Sequence, residues 1–450
     1  MSLLLASAVF FQACGLTTDS DNALITYTYE KQENEKLSME SSPVLEYELP
    51  EMLPGVLVDR KGYCQDEVKY ALCYSTRLPE KYCVLDVDTE ESVYIGTPEE
   101  IQYDGTTGIY SARLPFENIP EDGRYYIFAE SIGSSYSFDI SGSYYRDIYW
   151  NLINSECEKI KDGNAELWEV YSLLYTFERY KDVLYALKED APDVLGAVGE
   201  WIGRTDFDSF EGTDGYIAIA ILAKFGYNYN TVEEKLATEC IQKASAMYKK
   251  VGDAQNTAIP GETASQTGER ADAGKEGYVA FLALVELYRT SAIKAYADEL
   301  YRMSETIEAV EDLYSSKYLL NGAMGYMTTR HPVDRDFCDV LMETLLYNCR
   351  DMNEDRTLYE VDGIKEKDPE ELLLDAQKFA AMNYILDGYE YNENIINIVH
   401  YLSGRNSDSC VYDLTESYPS DAIAVFAWLA WLENNGKLDP SAPVIWNYSW

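Results

Sequence analysis

An N-terminal β-sandwich followed by an all-α body is the fold class this sequence predicts, and three observations predict it. Between residues 51 and 143, about seven short runs rich in Val, Tyr and Ile, several alternating with period two, are each closed by turn residues. From residue 144 onward the period changes, and apolar residues recur three and four apart to near the end of the chain. The 450 residues are 46% hydrophobic and 26% charged, enough to bury a core in each part.

The elements follow in order. The apolar run "SLLLASAVFFQAC", ending at Cys14, reads as the core of a bacterial lipoprotein signal peptide over residues 1–14. Cys14 would then carry the lipid and become the mature N-terminus. The run is too short to span a bilayer as a helix. No Lys or Arg precedes it, as expected if the start codon is misassigned and a basic segment is missing upstream, and a buried N-terminal helix is the competing reading. Residues 15–50 are polar and acidic and read as a tether. Residues 51–143 hold the strands "KYALCYS", "KYCVLDVD", "SVYIG", "GIYSARL", "RYYIFAE" and "SYSFDIS", separated by turns such as "YDGTTG" and "IPEDG". Residues 144–450 hold helices such as "AELWEVYSLLYTFERYKDVLYAL", "DGYIAIAILAKFG", "EELLLDAQKFAAMNYIL" and "DAIAVFAWLAWLEN". About eleven or twelve of them suggest hairpins arranged in a ring or solenoid, and pattern alone does not separate a closed barrel from an open array. Gly252 to Gly277 is the longest stretch of low hydrophobicity and reads as a long loop.

Composition excludes several functions. With 79 acidic and 36 basic residues the formal net charge is −43. Such a surface repels phosphate backbones, so nucleic acid is an unsuitable partner. It suits a secreted or surface protein acting on a neutral substrate, and solubility alone accounts for it as well. Two histidines and no CxxC pair argue against a zinc site. No organic cofactor is implied, and a structural calcium held by carboxylates and carbonyls stays open. Cys64, Cys73 and Cys83 cluster in the β region, where a disulfide is open, with connectivity not readable. Neither His331 nor His400 has a Ser or Cys partner at a spacing that suggests a hydrolase triad.

Four stretches resemble one family. "VLVDRKGY", Val56 to Tyr63, is similar to the opening of the immunoglobulin-like domain that precedes the catalytic barrel in glycoside hydrolase family 9, the cellulase family. "IPEDGRYYIFAESIGSSYSFDIS" resembles the closing strands of that domain, and "YYRDIYWNLINSECE" falls where the first barrel helix begins. "NIVHYLSGRN" resembles the segment ending in Leu-Gly-Arg-Asn-Pro, with Ser403 in place of Leu and Ser407 in place of Pro. The resemblance implies an Ig-like sandwich, an (α/α)6 barrel, a divergent member, and a β-linked polysaccharide or oligosaccharide as partner.

Family members hydrolyse β-1,4-glucan with inversion, which needs two carboxyl groups about 6.5–9.5 Å apart, one as acid and one activating water. The family's acid is a Glu in an Asn-Glu pair opening the last barrel helix, and Ser420-Asp421 matches that pair here. Asp421 is one methylene shorter, which draws the carboxyl back by about 1.5 Å. It also reads simply as a helix N-terminal acid. The family's base lies in an Asp-Ala-Gly-Asp segment before the second barrel helix, and that motif is missing. Asp162 in "KDGN" is the nearest carboxylate and Glu166 the second, although Asp-Gly-Asn is also an ordinary turn. The family's His-rich loop is absent from the short connector between Asn406 and Asp421. Trp168 and Trp201 are expected on the cleft side as stacking platforms for sugar, with core packing as the plainer reading. Arg405, in the Gly-Arg-Asn turn, is the third expected substrate-binding residue.

Two functions follow from different classes. One is an active glycosidase of altered motif, with Asp421 as acid and Asp162 or Glu166 as base. The other is a non-catalytic surface lipoprotein that keeps the fold and binds glycan or protein. A purely structural role at the cell surface is a third.

Overall fold

The computed structural model describes residues 54–117, 119, 122–187, 191–257, 269–307, 314–354 and 368–439, together with two short strands near the N-terminus. Those strands, β1 (Leu16–Thr18) and β2 (Ile25–Tyr27), pair antiparallel within the segment expected as a tether. Cys14 lies outside the described residues.

The sandwich is built from β3 (Val56–Leu57), β4 (Tyr63–Cys64), β5 (Tyr70–Ser75), β6 (Tyr82–Asp86), β7 (Ser92–Gly96), β8 (Glu99–Asp104), β9 (Ile109–Pro115), β10 (Gly123–Ala129), β11 (Gly133–Ser134) and β12 (Phe138–Ser141). One sheet runs β4-β12-β10-β6-β7, with β11 beside β10; the other runs β3-β5-β9-β8. Every pairing is antiparallel except β12 on β4. Period-two alternation sends one side of each strand inward. Tyr125, Ile127 and Ala129 of β10 meet Ala71 and Cys73 of β5 and Phe138 and Ile140 of β12 in one buried cluster. The thiols of Cys64, Cys73 and Cys83 are free, so no disulfide joins them.

Among the described residues twelve α-helices follow: α1 (Tyr144–Asp162), α2 (Leu167–Leu187), α3 (Val194–Arg204), α4 (Gly212–Tyr229), α5 (Glu234–Thr257), α6 (Glu269–Ser291), α7 (Lys294–Ile307), α8 (Lys317–Met327), α9 (Arg335–Glu354), α10 (Pro369–Leu386), α11 (Asn392–Leu402) and α12 (Pro419–Asn434). Their ends are written in the sequence. Gly163 takes the left-handed cap that closes α1 (φ 76°), Asp193 caps α3 by accepting from the Gly196 amide, and Asp368 with Pro369 starts α10. The stretch expected as a loop from Gly252 to Gly277 is helical at both ends. Its Ala, Glu, Gln and Lys residues are helix formers even where no apolar face marks them.

The even-numbered helices close a ring: α2 packs on α4, α4 on α6, α6 on α8, α8 on α10, α10 on α12, and α12 back on α2. The body is therefore a closed (α/α)6 barrel. The inner helices are the ones apolar all round. Gly215 through Gly226 of α4 are buried without a break, and α12 buries residues on every face from Ala422 to Leu432. Gly322 of α8 lets Phe281 of α6 approach so closely that an added Cβ would sit 2.8 Å from its ring. No helix among the described residues is long and apolar enough to cross a membrane.

Candidate functional site

The inner helices run parallel, and their N-termini share one mouth. Asp421 lies in the first turn of α12, after Pro419. It is only 6% exposed. Its carboxylate accepts from Lys317 Nζ at 3.1 and 3.2 Å, and the same ammonium donates to Glu370 Oε1 at 2.7 Å. Lys317 opens α8 and Glu370 opens α10, so one cation ties three helix starts together. Gln377 of α10 donates to the Asp421 carbonyl at 2.8 Å. Burial pushes the Asp421 carboxyl up, Lys317 draws it down, and Glu370 adds to the rise. Burial opposes the charge on Lys317, but Asp421 and Glu370 outweigh it and hold the ammonium above its ordinary value.

Trp168, at the start of α2, reaches the same mouth from the other side. Its ring stacks on Tyr171 at 5.0 Å, takes the edge of Tyr318 at 4.7 Å, and has Lys317 Nζ 5.7 Å from its centroid. The indole is 8% exposed, so both partners cover most of the surface a sugar would use. Asp162 ends α1 and Glu166 precedes α2, and both are exposed in the turn around Gly163. The Glu166 amide donates to Glu169 as part of the α2 start. Asp421, Lys317, Glu370 and Trp168 are thus brought together, and no contact joins Asp162 or Glu166 to them.

The remaining expected site residues sit elsewhere. Trp201 is on the outer helix α3, buried with its ring against the edge of Phe207 at 5.6 Å, where it fills core. Arg405 is completely buried between barrel and sandwich. Its guanidinium donates to Asn397 Oδ1 at 2.7 Å and lies 4.5 Å over the ring of Tyr70, whose hydroxyl donates to the same Asn397. Arg405 is therefore a strut between domains, out of reach of a glycan. Among the described residues no group of three or more His, Cys, Asp or Glu side chains is arranged to hold a metal ion.

Comparison with known proteins fits this geometry. Residues 52–134 match the model of the cellulase N-terminal Ig-like domain. A metagenome-derived glycoside hydrolase family 9 endoglucanase superposes with a TM-score of 0.62 at 16% identity, over 79% of this chain and 84% of its own. The chain has the two-domain fold of the family 9 endoglucanases. A family 9 glycoside hydrolase of Bacteroides ovatus superposes at 0.59 and 13% identity, over 85% of this chain and 99% of its own. A single-mutant thermostable endoglucanase of Alicyclobacillus acidocaldarius does so at 0.60 and 14%, over 80% and 83%. No curated protein sequence matches the chain.

Against the spacing that inversion needs, Glu370 and Asp421 do not form the pair. A water between two carboxyl groups needs about 6.5–9.5 Å. The oxygens of Glu370 and Asp421 bound by Lys317 can be no further apart than their distances of 2.7 and 3.1 Å together, which is nearer than that range. Lys317 is the residue the sequence reading missed. A lone lysine at a helix start carries no motif, and its partner lies 104 positions away.

Proposed function

We propose that this protein is a surface lipoprotein that binds β-linked polysaccharide on the family 9 fold without hydrolysing it. The observation that carries this reading is the Lys317 ammonium seated on both Asp421 oxygens and on Glu370. A general acid must be protonated to act, and a cation at hydrogen-bond distance favours the carboxylate instead. The exposed Asp162 and Glu166 give the reaction no held base. The charge of −43 suits a neutral glycan, and the apolar run ending in Cys14 supports a lipid anchor on the outer face of a bacterial membrane.

A second reading has its own observation: burial and Glu370 both push the Asp421 carboxyl up, the direction a general acid needs. Under it the protein hydrolyses the glucan that it binds. Reducing-sugar release from soluble β-glucans, run beside retardation in gels containing the same glucans, separates the two. Retardation with no sugar release is expected for the native chain and for Asp421→Asn. Sugar release that Asp421→Asn abolishes would replace the first reading with the second.

A further inference from the structure

A cavity of about 780 Å³ opens at the other end of the barrel, where the inner helices finish. It falls within the range of small-molecule sites, roughly 300–1,000 Å³. Its floor is a closed ionic square. Lys224 Nζ donates to Glu178 at 2.7 Å and to Glu286 at 2.9 Å, and Arg289 donates to Glu286 at 2.9 Å and to Glu178 at 2.5 Å. Two acids and two bases satisfy one another there, and Tyr171 completes Glu286 at 2.9 Å.

Above that floor three cations remain. Arg179, Lys181 and Arg330 all line the cavity, and none of them forms an ion pair among the described residues. The ends of α4, α6, α8 and α10 bring partial negative charge to this mouth, about half a unit each, which three full positive charges exceed. Lys181 and Arg330 are exposed and serve as counter-charges to those helix ends. Arg179 does not fit that account. It lies well inside α2, one residue before a kink at Tyr180 (φ −122°, ψ 17°), 4.0 Å from the centroid of the Tyr175 ring and 5.6 Å from that of Tyr384. Its Nε and Nη1 are buried with no hydrogen-bond partner. Glu178 offsets part of its charge, but two guanidinium nitrogens still lack an acceptor, a cost that an anion in the cavity beside Arg179 would reduce.

The cavity's other walls are hydrogen-bonding and aromatic: Tyr227, Asn228 and Tyr384 face it, with threonines after α8. We propose that this cavity binds a small hydroxylated carboxylate of the uronic-acid class, the carboxylate lying toward Arg179 and the ring against the tyrosines. A planar guanidinium suits a carboxylate, tyrosine faces suit a sugar ring, and asparagine and threonine suit its hydroxyls. Long polyanions are excluded because the rest of the surface repels them. The site is separate from the mouth at Asp421 and does not rest on what happens there.

The test is titration calorimetry of the full chain at low salt with D-glucuronate, D-glucose and inorganic phosphate in parallel. Saturable glucuronate binding is expected, with glucose at least about tenfold weaker, because one charge-assisted hydrogen bond is worth that much. Arg179→Gln should weaken glucuronate at least about tenfold on the same ground. The Lys181→Gln/Arg330→Gln double variant, altered only at exposed positions, should weaken it measurably, while Asp421→Asn should leave it unchanged. The double variant carries the test if Arg179→Gln fails to fold. No saturable glucuronate binding overturns the proposal, as does binding undiminished in the variants. Phosphate binding with glucuronate no better than glucose overturns it too, leaving a site for simple anions.

Discussion

His400 Nδ1 lies 2.7 Å from Asp59 Oδ2, and its Nε2 lies 3.4 Å from Glu67 Oε1. One imidazole of α11 therefore joins the barrel to two buried carboxylates of the sandwich, with Tyr63 against its ring at 4.6 Å. Glu67 also accepts from the Tyr145 hydroxyl of α1, and Asp59 accepts from the amides of Lys61 and Gly62. Next to this joint the Arg60 amide donates to the Ser403 carbonyl at 2.8 Å. The two stretches "VLVDRKGY" and "HYLSGRN" thus meet each other across the domain boundary.

This joint sets a pH dependence. Burial drives the His400 imidazolium down, but Glu67 and Asp59 outweigh it and hold its pKa above the ordinary histidine value. Burial raises the Asp59 carboxyl in spite of His400. Both shifts mean that the folded chain holds protons the unfolded chain gives up, so stability falls as pH rises. The His400 contribution is complete below its unfolded value of about 6.5 and is lost as pH climbs through the raised folded value. The Asp59 shift has the same sign, in a window that begins near pH 3.9. Thermal melts from pH 6 to pH 9 should show Tm falling for the native chain, and falling less for His400→Gln. Parallel slopes in the two proteins would remove His400 as the cause.

The turn that follows His400 offers a steric prediction. Gly404 has φ 121°, and an added Cβ would lie 2.8 Å from Cγ of Arg60, the residue whose guanidinium donates to the Ser409 carbonyl. Gly404→Ala must strain the backbone and displace Arg60, at a cost of about 1–3 kcal/mol. Urea unfolding should show the midpoint shifted down with the slope unchanged. An unshifted midpoint would mean that the turn relaxes freely.

Much of the fold was legible because it rests on periodicity. Period two announced "RYYIFAE" as a strand, and apolar residues three and four apart announced α4 and α12 as helices. Closure of the ring was not legible, since it depends on α12 meeting α2, and no local pattern names a helix's neighbours. Of the expected site residues, Asp421 and Trp168 come to one mouth, where Lys317 lies close to both. "HYLSGRN" carried Arg405 as an expected substrate-binding residue, yet Arg405 and His400 turn inward to the sandwich. A polar turn carries the same letters whether it faces a cleft or a second domain.

The ionic square predicts a cost for neutralising one corner. Glu286 is 1% exposed and Lys224 is wholly buried. Burial works against the Glu286 carboxylate, but Lys224 and Arg289 outweigh it and hold its pKa below the ordinary range. That contribution is present above the unfolded carboxylate value, about 4.3, and is lost as pH falls through the folded one. Glu286→Gln leaves Lys224 and Arg289 to share Glu178, and at neutral pH it should cost about 3–5 kcal/mol. Denaturant unfolding at pH 7 measures it, and a loss under about 1 kcal/mol would show that the square is not a unit.

At the barrel mouth the same logic runs through Asp421. Removing its cation with Lys317→Met leaves a 6% exposed carboxylate with Glu370 nearby and no base to answer it. Its pKa, already raised by burial, must rise further, so the variant's stability should fall as pH increases from the unfolded aspartate value, about 3.9. The expected loss at pH 8 is about 1–3 kcal/mol, the cost of an unsatisfied buried polar group. Asp421→Asn in the Lys317→Met background should recover most of it, because a neutral amide needs no counter-charge. Melts of the single and double variants at pH 4 and pH 8 decide the matter. If Lys317→Met is as stable as the native chain at pH 8, the ammonium does not hold Asp421, and the case against Asp421 as a proton donor falls with it.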